Sequence, residues 1–414
     1  YFEYATDLLA QTAYVSNSNS YGTGGLITTV GNDVVHVFNS SGTFTPLYTG
    51  IVKVLVVAGG AGGASGGGGG GGVVYNASYT VTAEEEITVT VGAGSAGVAS
   101  GSGYSVGSNG GNSVFGTITA LGGGYAGNGD YTRQASNGGT GGGGGASSVG
   151  IGYGGVGSQG YDGGDSISAS PFPAGGGGGA GGAGQDAQSS TVAGAGGAGY
   201  ASTILDDSTD YYGGGGGGGG NCPTAGDGGS GGGGNGSTSG NGTDGTANTG
   251  GGGGGAREGS TGGDGGSGIV IVRYPAVLNC YSESSVISQG TYALKVIAQI
   301  TNSLNDTLTR TVNPTIDLTG INTLKFDMRA SRTGSNIKIG IHDSGGTTTE
   351  ITPNITSANA WQTVTWDISG VSDANKNVID QIIITVLNAD AANTFYLDNF
   401  FIYGATNILE WVTP

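Results

Sequence analysis

Eighty-three of the chain's 97 glycines lie between residues 59 and 268, and residues 66–72, 175–179, 213–220 and 250–255 are glycine throughout. Such a stretch has almost no side chains to bury or to react, so its structure must come from backbone. Two readings follow. One is a flexible linker of the glycine/serine type. The other is a set of left-handed threefold extended helices, each rising about 3.1 Å per residue, with no internal hydrogen bonds. In the second, every N–H and C=O must bond to a neighbouring helix, and only glycine lets backbones approach so closely on all sides. Backbone ordering costs about 1–2 kcal/mol per residue, so dense inter-helix bonding and a clamping domain are required. Polar residues break the runs at intervals (Asn137, Asp162, Asp165, Asn221, Asp227, Asn235, Asn241, Asp244), and residues 192–205 mix alanine, tyrosine and aliphatics. This layered alternation favours the ordered lattice.

The flanks read as strands. Residues 34–38 (VVHVF), 51–58, 78–82, 86–91, 113–121 and 269–274 (IVIVRY) are β-branched and bounded by Gly, Asn and Pro. They predict a small antiparallel β-sandwich over residues 34–275, from which residues of about 122–268 depart and return as one polyglycine II insertion. Residues 1–33 read as an arm with a short helix at 5–14. Residues 277–404 carry seven or eight strand candidates and predict a jelly-roll sandwich, with 405–414 leading to a further module. The expected fold class is all-β.

Lys and Arg total 11 against 29 acidic residues, a formal charge of −18. No basic stripe exists to displace counterions from phosphates, which argues against nucleic acid. No run approaches the roughly 20 apolar residues of a membrane helix, so membrane insertion is not expected. The chain begins at Tyr1 and its one methionine is Met328, as in a processed product or a piece of a longer protein. Whether Cys222 and Cys280 pair is left open by two cysteines alone.

Motifs of chemistry are absent or accidental. Residues 194–199 (GAGGAG) satisfy a dinucleotide fingerprint by glycine content alone. His36 and His342 are the only histidines, and neither has a partner at ligand or catalytic spacing. The cluster Glu84, Glu85, Glu86 precedes a strand as a solvated turn. No enzyme activity and no certain cofactor are expected.

The ordered anchors VHVFNSSGTFTP, KVLVVAGG, TVTVGAG, NSVFGTITALGGG and GSGIVIVRYP, over about 34–275, resemble the glycine-rich domain of bacteriophage tail-fibre and tail-tip adhesins. That resemblance implies packed polyglycine helices whose connecting loops touch a host receptor, with Tyr125, Tyr131, Tyr153, Tyr161, Tyr200, Tyr211 and Tyr212 as contact candidates. Residues 317–331, 358–369 and 395–404 resemble non-catalytic carbohydrate-binding jelly rolls. This second resemblance implies a structural Ca2+ near Glu283 and Asp398. Trp361 and Trp366 lie five apart, so a continuous strand sends them to opposite faces; Trp361 is the better glycan platform. The expected function is a non-enzymatic structural or adhesive segment of an extracellular or virion fibre. It would bind a cell-surface glycan or protein receptor and associate with itself or neighbouring fibre subunits. The alternative is a filament subunit that polymerises by strand addition from its N-terminal arm.

Overall fold

The computed structural model describes residues 14–16, 22–31, 33–46, 49–101, 106–129, 132–275, 278–290, 292–298, 305 and 307–404. The helix expected at 5–14 falls outside them but for its last residue, which opens strand β1 (Tyr14–Ser16). The described residues contain no α-helix, only one 3-10 turn at Asp373–Asn375. The fold is all-β, and the chain divides into two compact units, 22–275 and 1–21 with 276–414.

In the first unit, β2 (Leu26–Val30), β3 (Asp33–Phe38), β5 (Gly50–Val57), β6 (Val73–Val81) and β12 (Ile269–Pro275) form a sheet in the order β2-β3-β12-β5-β6. A second sheet, β4-β7-β8-β9, comprises β4 (Gly42–Phe44), β7 (Ile87–Thr90), β8 (Ser113–Phe115) and β9 (Ile118–Ala120). The stretch expected as one strand at 113–121 is a tight hairpin, because Gly116 adopts φ 51°. β2 lies within what was expected to be an arm, yet it pairs with β3 along its whole length. Both faces of the larger sheet are covered, which explains why β3 and β12 are almost continuously buried. One face carries His36 and Tyr274, whose rings pack against Phe44 of the second sheet. The other, with Val35, Val37, Leu55, Val57 and Ile271, is capped by Ile204 and Tyr212 of a hairpin, β10 (Tyr200–Ser202) and β11 (Asp210–Tyr212).

His36 locks the entry to this sheet. Its Nδ1 lies 2.7 Å from the Gly24 carbonyl, which can only accept, so the proton sits on Nδ1. Nε2 then accepts from the Tyr274 hydroxyl at 2.7 Å, and that hydroxyl accepts from the Gly22 N–H at 2.8 Å. Burial lowers the imidazole pKa.

The glycine runs are neither strands nor linkers. The N–H groups of Gly66, Gly69 and Gly72 bond to the carbonyls of Gly127, Gly124 and Leu121; those of Gly67 and Gly70 to Gly175 and Gly178; those of Gly68 and Gly71 to Gly253 and Gly250. The partner therefore changes at each residue and returns at every third, the period of a threefold helix. Carbonyls of the same run accept from the N–H groups of Ala58, Ala61, Ala64, Gly143 and Gly216, so the run is surrounded by other backbone. A Cβ built on Gly67 would stand 2.0 Å from the Gly216 oxygen, and one on Gly68 2.0 Å from that of Ala61. The lattice is more than one insertion between Leu121 and Ile269. The β5–β6 loop supplies its buried interior run, and the β7–β8 loop supplies residues such as Gly110 and Gly111. At its margins the polar residues of the turns replace missing neighbours: Asn137 Oδ1 accepts from Val156, Asp162 from Gly157, Asp165 from Gly154, and Asn241 from Thr261. These side-chain acceptors serve N–H groups that have no further glycine run to bond to.

The second unit is a sandwich of two five-stranded antiparallel sheets. One runs β1-β15-β20-β17-β18, with β15 (Thr307–Ile316), β17 (Ile337–Asp343), β18 (Thr347–Ile351) and β20 (Ile379–Val386). The other runs β13-β14-β21-β16-β19, with β13 (Leu278–Glu283), β14 (Ala293–Ala298), β16 (Ile321–Ala330), β19 (Gln362–Asp367) and β21 (Asn393–Gly404). Leu294, Leu324, Phe326, Met328, Ile339, Ile384 and Phe395 fill the space between them.

Candidate functional site

In a strand, alternate residues face opposite ways. Because Leu294 and Val296 of β14, Phe395 and Leu397 of β21, and Leu324, Phe326 and Met328 of β16 point into the core, Lys295, Tyr396, Asp327 and Arg329 point out on the other face. The register then sets them side by side: Lys295 opposite Tyr396, and Tyr396 opposite Arg329. Met328 pairs with Gln362 of β19, which brings Trp361 to the end of the same row. The contacts bear this out. The Lys295 ammonium and the Arg329 guanidinium each lie 5.8 Å from the centre of the Tyr396 ring, within cation–π range. Trp361 meets Tyr396 edge-on, with ring centres 6.2 Å apart. Arg329 Nε is buried and has no acceptor among the described residues. Trp361 is half-buried, whereas Trp366 is 3% exposed in the core.

The next row is acidic. Asp327 pairs in register with Asp398, and Glu283 lies beyond Ala293. Asp327 accepts from Thr363 Oγ1 at 2.6 Å, from Asn399 Nδ2 at 3.0 Å and from the Ser288 hydroxyl. Asp398 accepts from the N–H groups of Ser288 and Gln289 at 2.6 and 3.0 Å. Glu283 accepts from Ser285 N–H at 2.7 Å and pairs with Lys295 at 3.3 Å; the Ser285 bond leads in holding its carboxyl below the usual range. Ca2+ needs six to eight oxygen ligands. Here the two expected carboxylates face amides and an ammonium, and no group of three or more acidic, His or Cys side chains gathers as a metal set among the described residues.

The tyrosines named from sequence separate by exposure. Tyr153, Tyr161 and Tyr211 are 56, 51 and 44% exposed. Tyr125 and Tyr200 are half-buried, and Tyr131 lies outside the described residues. Tyr212 is not a surface contact: at 4% exposure it packs under the hairpin, because β11 turns Tyr211 out and its neighbour in. Both cysteines are free thiols, in different units; burial pushes Cys280 up to about 11. His342 Nδ1 lies 2.7 Å from Asp380. No described helix is long and apolar enough to cross a membrane. Asp327, Tyr396 and Arg329 were not singled out from sequence; the alternation of KFDMR and FYLDN was the available signal.

The profile of the family described as "Glycine-rich domain" matches residues 39–275, more than half of the chain. The chain belongs to this glycine-rich domain family. No curated protein matches it. Among solved structures, it is similar to a family 30 carbohydrate-binding module of a cellulosomal cellulase of Clostridium thermocellum. The identity is 17% and the TM-score 0.26, over 32% of this chain and 88% of that one. It is also similar to a family 11 carbohydrate-binding module from Clostridium thermocellum in complex with a β-1,3-1,4-mixed-linked tetrasaccharide, at 17% identity and TM-score 0.23, over 31% and 89%. A third likeness is to an exo-β-agarase, at 14% identity and TM-score 0.26; it spans 33% of this chain and about a quarter (24%) of the agarase.

Proposed function

We propose that this glycine-rich chain is a non-enzymatic adhesive segment of an extracellular or virion fibre, and that the outer face of β13-β14-β21-β16-β19 binds a glycan. The row Lys295, Tyr396, Arg329, Trp361 carries this reading. Aromatic faces stack on sugar rings and exclude water, while the flanking cations supply donors for hydroxyls. The stacking gives affinity and the donors give orientation. Tyr153, Tyr161 and Tyr211 add rigid amphipathic contact area on the glycine-rich unit.

Affinity electrophoresis through gels containing a panel of soluble polysaccharides tests the sheet face. At least one polysaccharide is expected to retard the full chain, with Trp361→Ala and Tyr396→Ala each weakening retention about tenfold or more. Absence of retardation, or retention unchanged in both variants, overturns the reading.

One observation favours the filament alternative as well. Tyr14–Ser16 of the arm pairs with β15 at Leu308 to Arg310 and so covers what would otherwise be the edge of that sheet. A strand that completes a sheet within one chain can complete the same sheet in a neighbour. Sedimentation at rising concentration, with and without residues 1–16, separates the two: loss of assembly on truncation supports the filament, and a concentration-independent monomer excludes it.

A further inference from the structure

A second site lies in the glycine-rich unit. Lys53 of β5 and Arg273 of β12 are directly opposed in the sheet, an arrangement that like charges ordinarily disfavour. Arg273 is compensated twice. Its Nε donates to Asp33 at 2.7 Å and its Nη1 to Asp207 at 2.7 Å. Lys53 is exposed and has no hydrogen-bond or ion-pair partner among the described residues. Only three basic residues precede Arg273 in a chain of charge −18, and this one stands uncompensated beside another cation.

Beside it is a cleft of 250 Å³ between the sheet and the β10–β11 hairpin, lined by Lys53, Tyr75, Tyr200, Ser202, Asp207 and Arg273 among others. That volume is below the roughly 300–1,000 Å³ of pockets for drug-sized ligands, and suits one small ring. Its wall is fixed: Asp207 sits at φ 67° and is tied to Arg273, so the loop is held in place before any ligand arrives. Ser202 Oγ accepts from Ile204 N–H at 3.3 Å and keeps its own proton to donate.

We infer that this cleft binds a single monosaccharide bearing one carboxylate. The Lys53 ammonium donates to the carboxylate in a charge-assisted bond. The apolar face of the sugar lies on Tyr75 or Tyr200, and its hydroxyls reach Ser202 and the exposed edge of Asp207. The inference is independent of the sheet face proposed above, and the experiment keeps the two apart.

Saturation-transfer NMR and calorimetry on the full chain would use glucuronate, glucose and glucose 6-phosphate as probes. Glucuronate is expected to bind in preference to both others. Lys53→Gln is expected to weaken it about tenfold, the scale of one hydrogen bond to a charged group, while Trp361→Ala leaves it unchanged. The proposal fails if glucuronate gives no signal, if glucose or the phosphate binds equally well, if Lys53→Gln keeps wild-type affinity, or if Trp361→Ala removes the binding.

Discussion

At the scale of single residues, the lattice depends on atoms that are missing. Gly67→Ala would place a methyl carbon 2.0 Å from a backbone oxygen of Gly216 that no side-chain rotation can move. Overpacking of this kind typically costs about 1–3 kcal/mol. Gly240 meets nothing within 4 Å, so Gly240→Ala should change stability by less than about 0.5 kcal/mol. Denaturant midpoints of the two variants check the contrast, and equal midpoints would mean that the lattice yields easily. His36 behaves oppositely to a paired cation. Its folded pKa is lowered, so the unfolded chain binds the proton more tightly. Stability is then fully present above about pH 6.5 and falls as pH drops below it, with a slope of at most about 1.4 kcal/mol per pH unit for one proton. Unfolding curves between pH 7.5 and 5 should show that slope in the wild type and lose it in His36→Gln.

At the scale of elements, what could be read from sequence depended on whether side chains alternate. VVHVF and IVIVRY announced β3 and β12 because β-branched residues run the length of each strand. LITTV of β2 did not, since its exposed threonines look like those of a polar arm, nor did GTF of β4, where a Gly-Thr pair reads as a turn. The glycine runs showed that backbone must pair with backbone. They did not show that residues 58–72, short enough to be a loop, lie in the interior of the lattice, because glycine carries no periodicity that distinguishes inside from outside. The sheet-face row was illegible for another reason: Lys295, Arg329, Trp361 and Tyr396 come from separate segments, and only register joins them. The paired lattice makes its own prediction. Each N–H from Gly66 to Gly72 has a carbonyl partner at 2.7–3.1 Å and all seven residues are buried, so their amides should exchange as slowly as those of β12. Exchange at the rate of a free peptide across 66–72 would return the segment to a linker. A smaller test concerns Glu283 and Asp398: with Lys295 and backbone amides on these carboxylates, millimolar Ca2+ or a chelator should leave the melting temperature within about 1 °C. A rise with Ca2+ would show that the ion displaces those donors.

At the scale of the whole molecule, the two units are held by different forces. The C-terminal unit has a conventional interior of aliphatic and aromatic side chains. The unit spanning 22–275 buries mainly peptide groups, with its apolar clusters confined to the sandwich and hairpin. Unfolding exposes apolar surface in the first case and much polar backbone in the second. Apolar exposure raises the heat capacity and polar exposure lowers it, and ordinary domains net about 12–15 cal/mol/K per residue. The glycine-rich unit should therefore unfold with a clearly smaller ΔCp per residue than its neighbour, and with a flatter stability curve. The sequence supplies the means to tell them apart. All three tryptophans lie beyond residue 360, so tryptophan fluorescence follows only the C-terminal unit, while calorimetry follows both. The transition without a fluorescence change should carry the lower ΔCp per residue; equal values in the two transitions would mean that side-chain burial, and not the backbone lattice, holds residues 22–275 together.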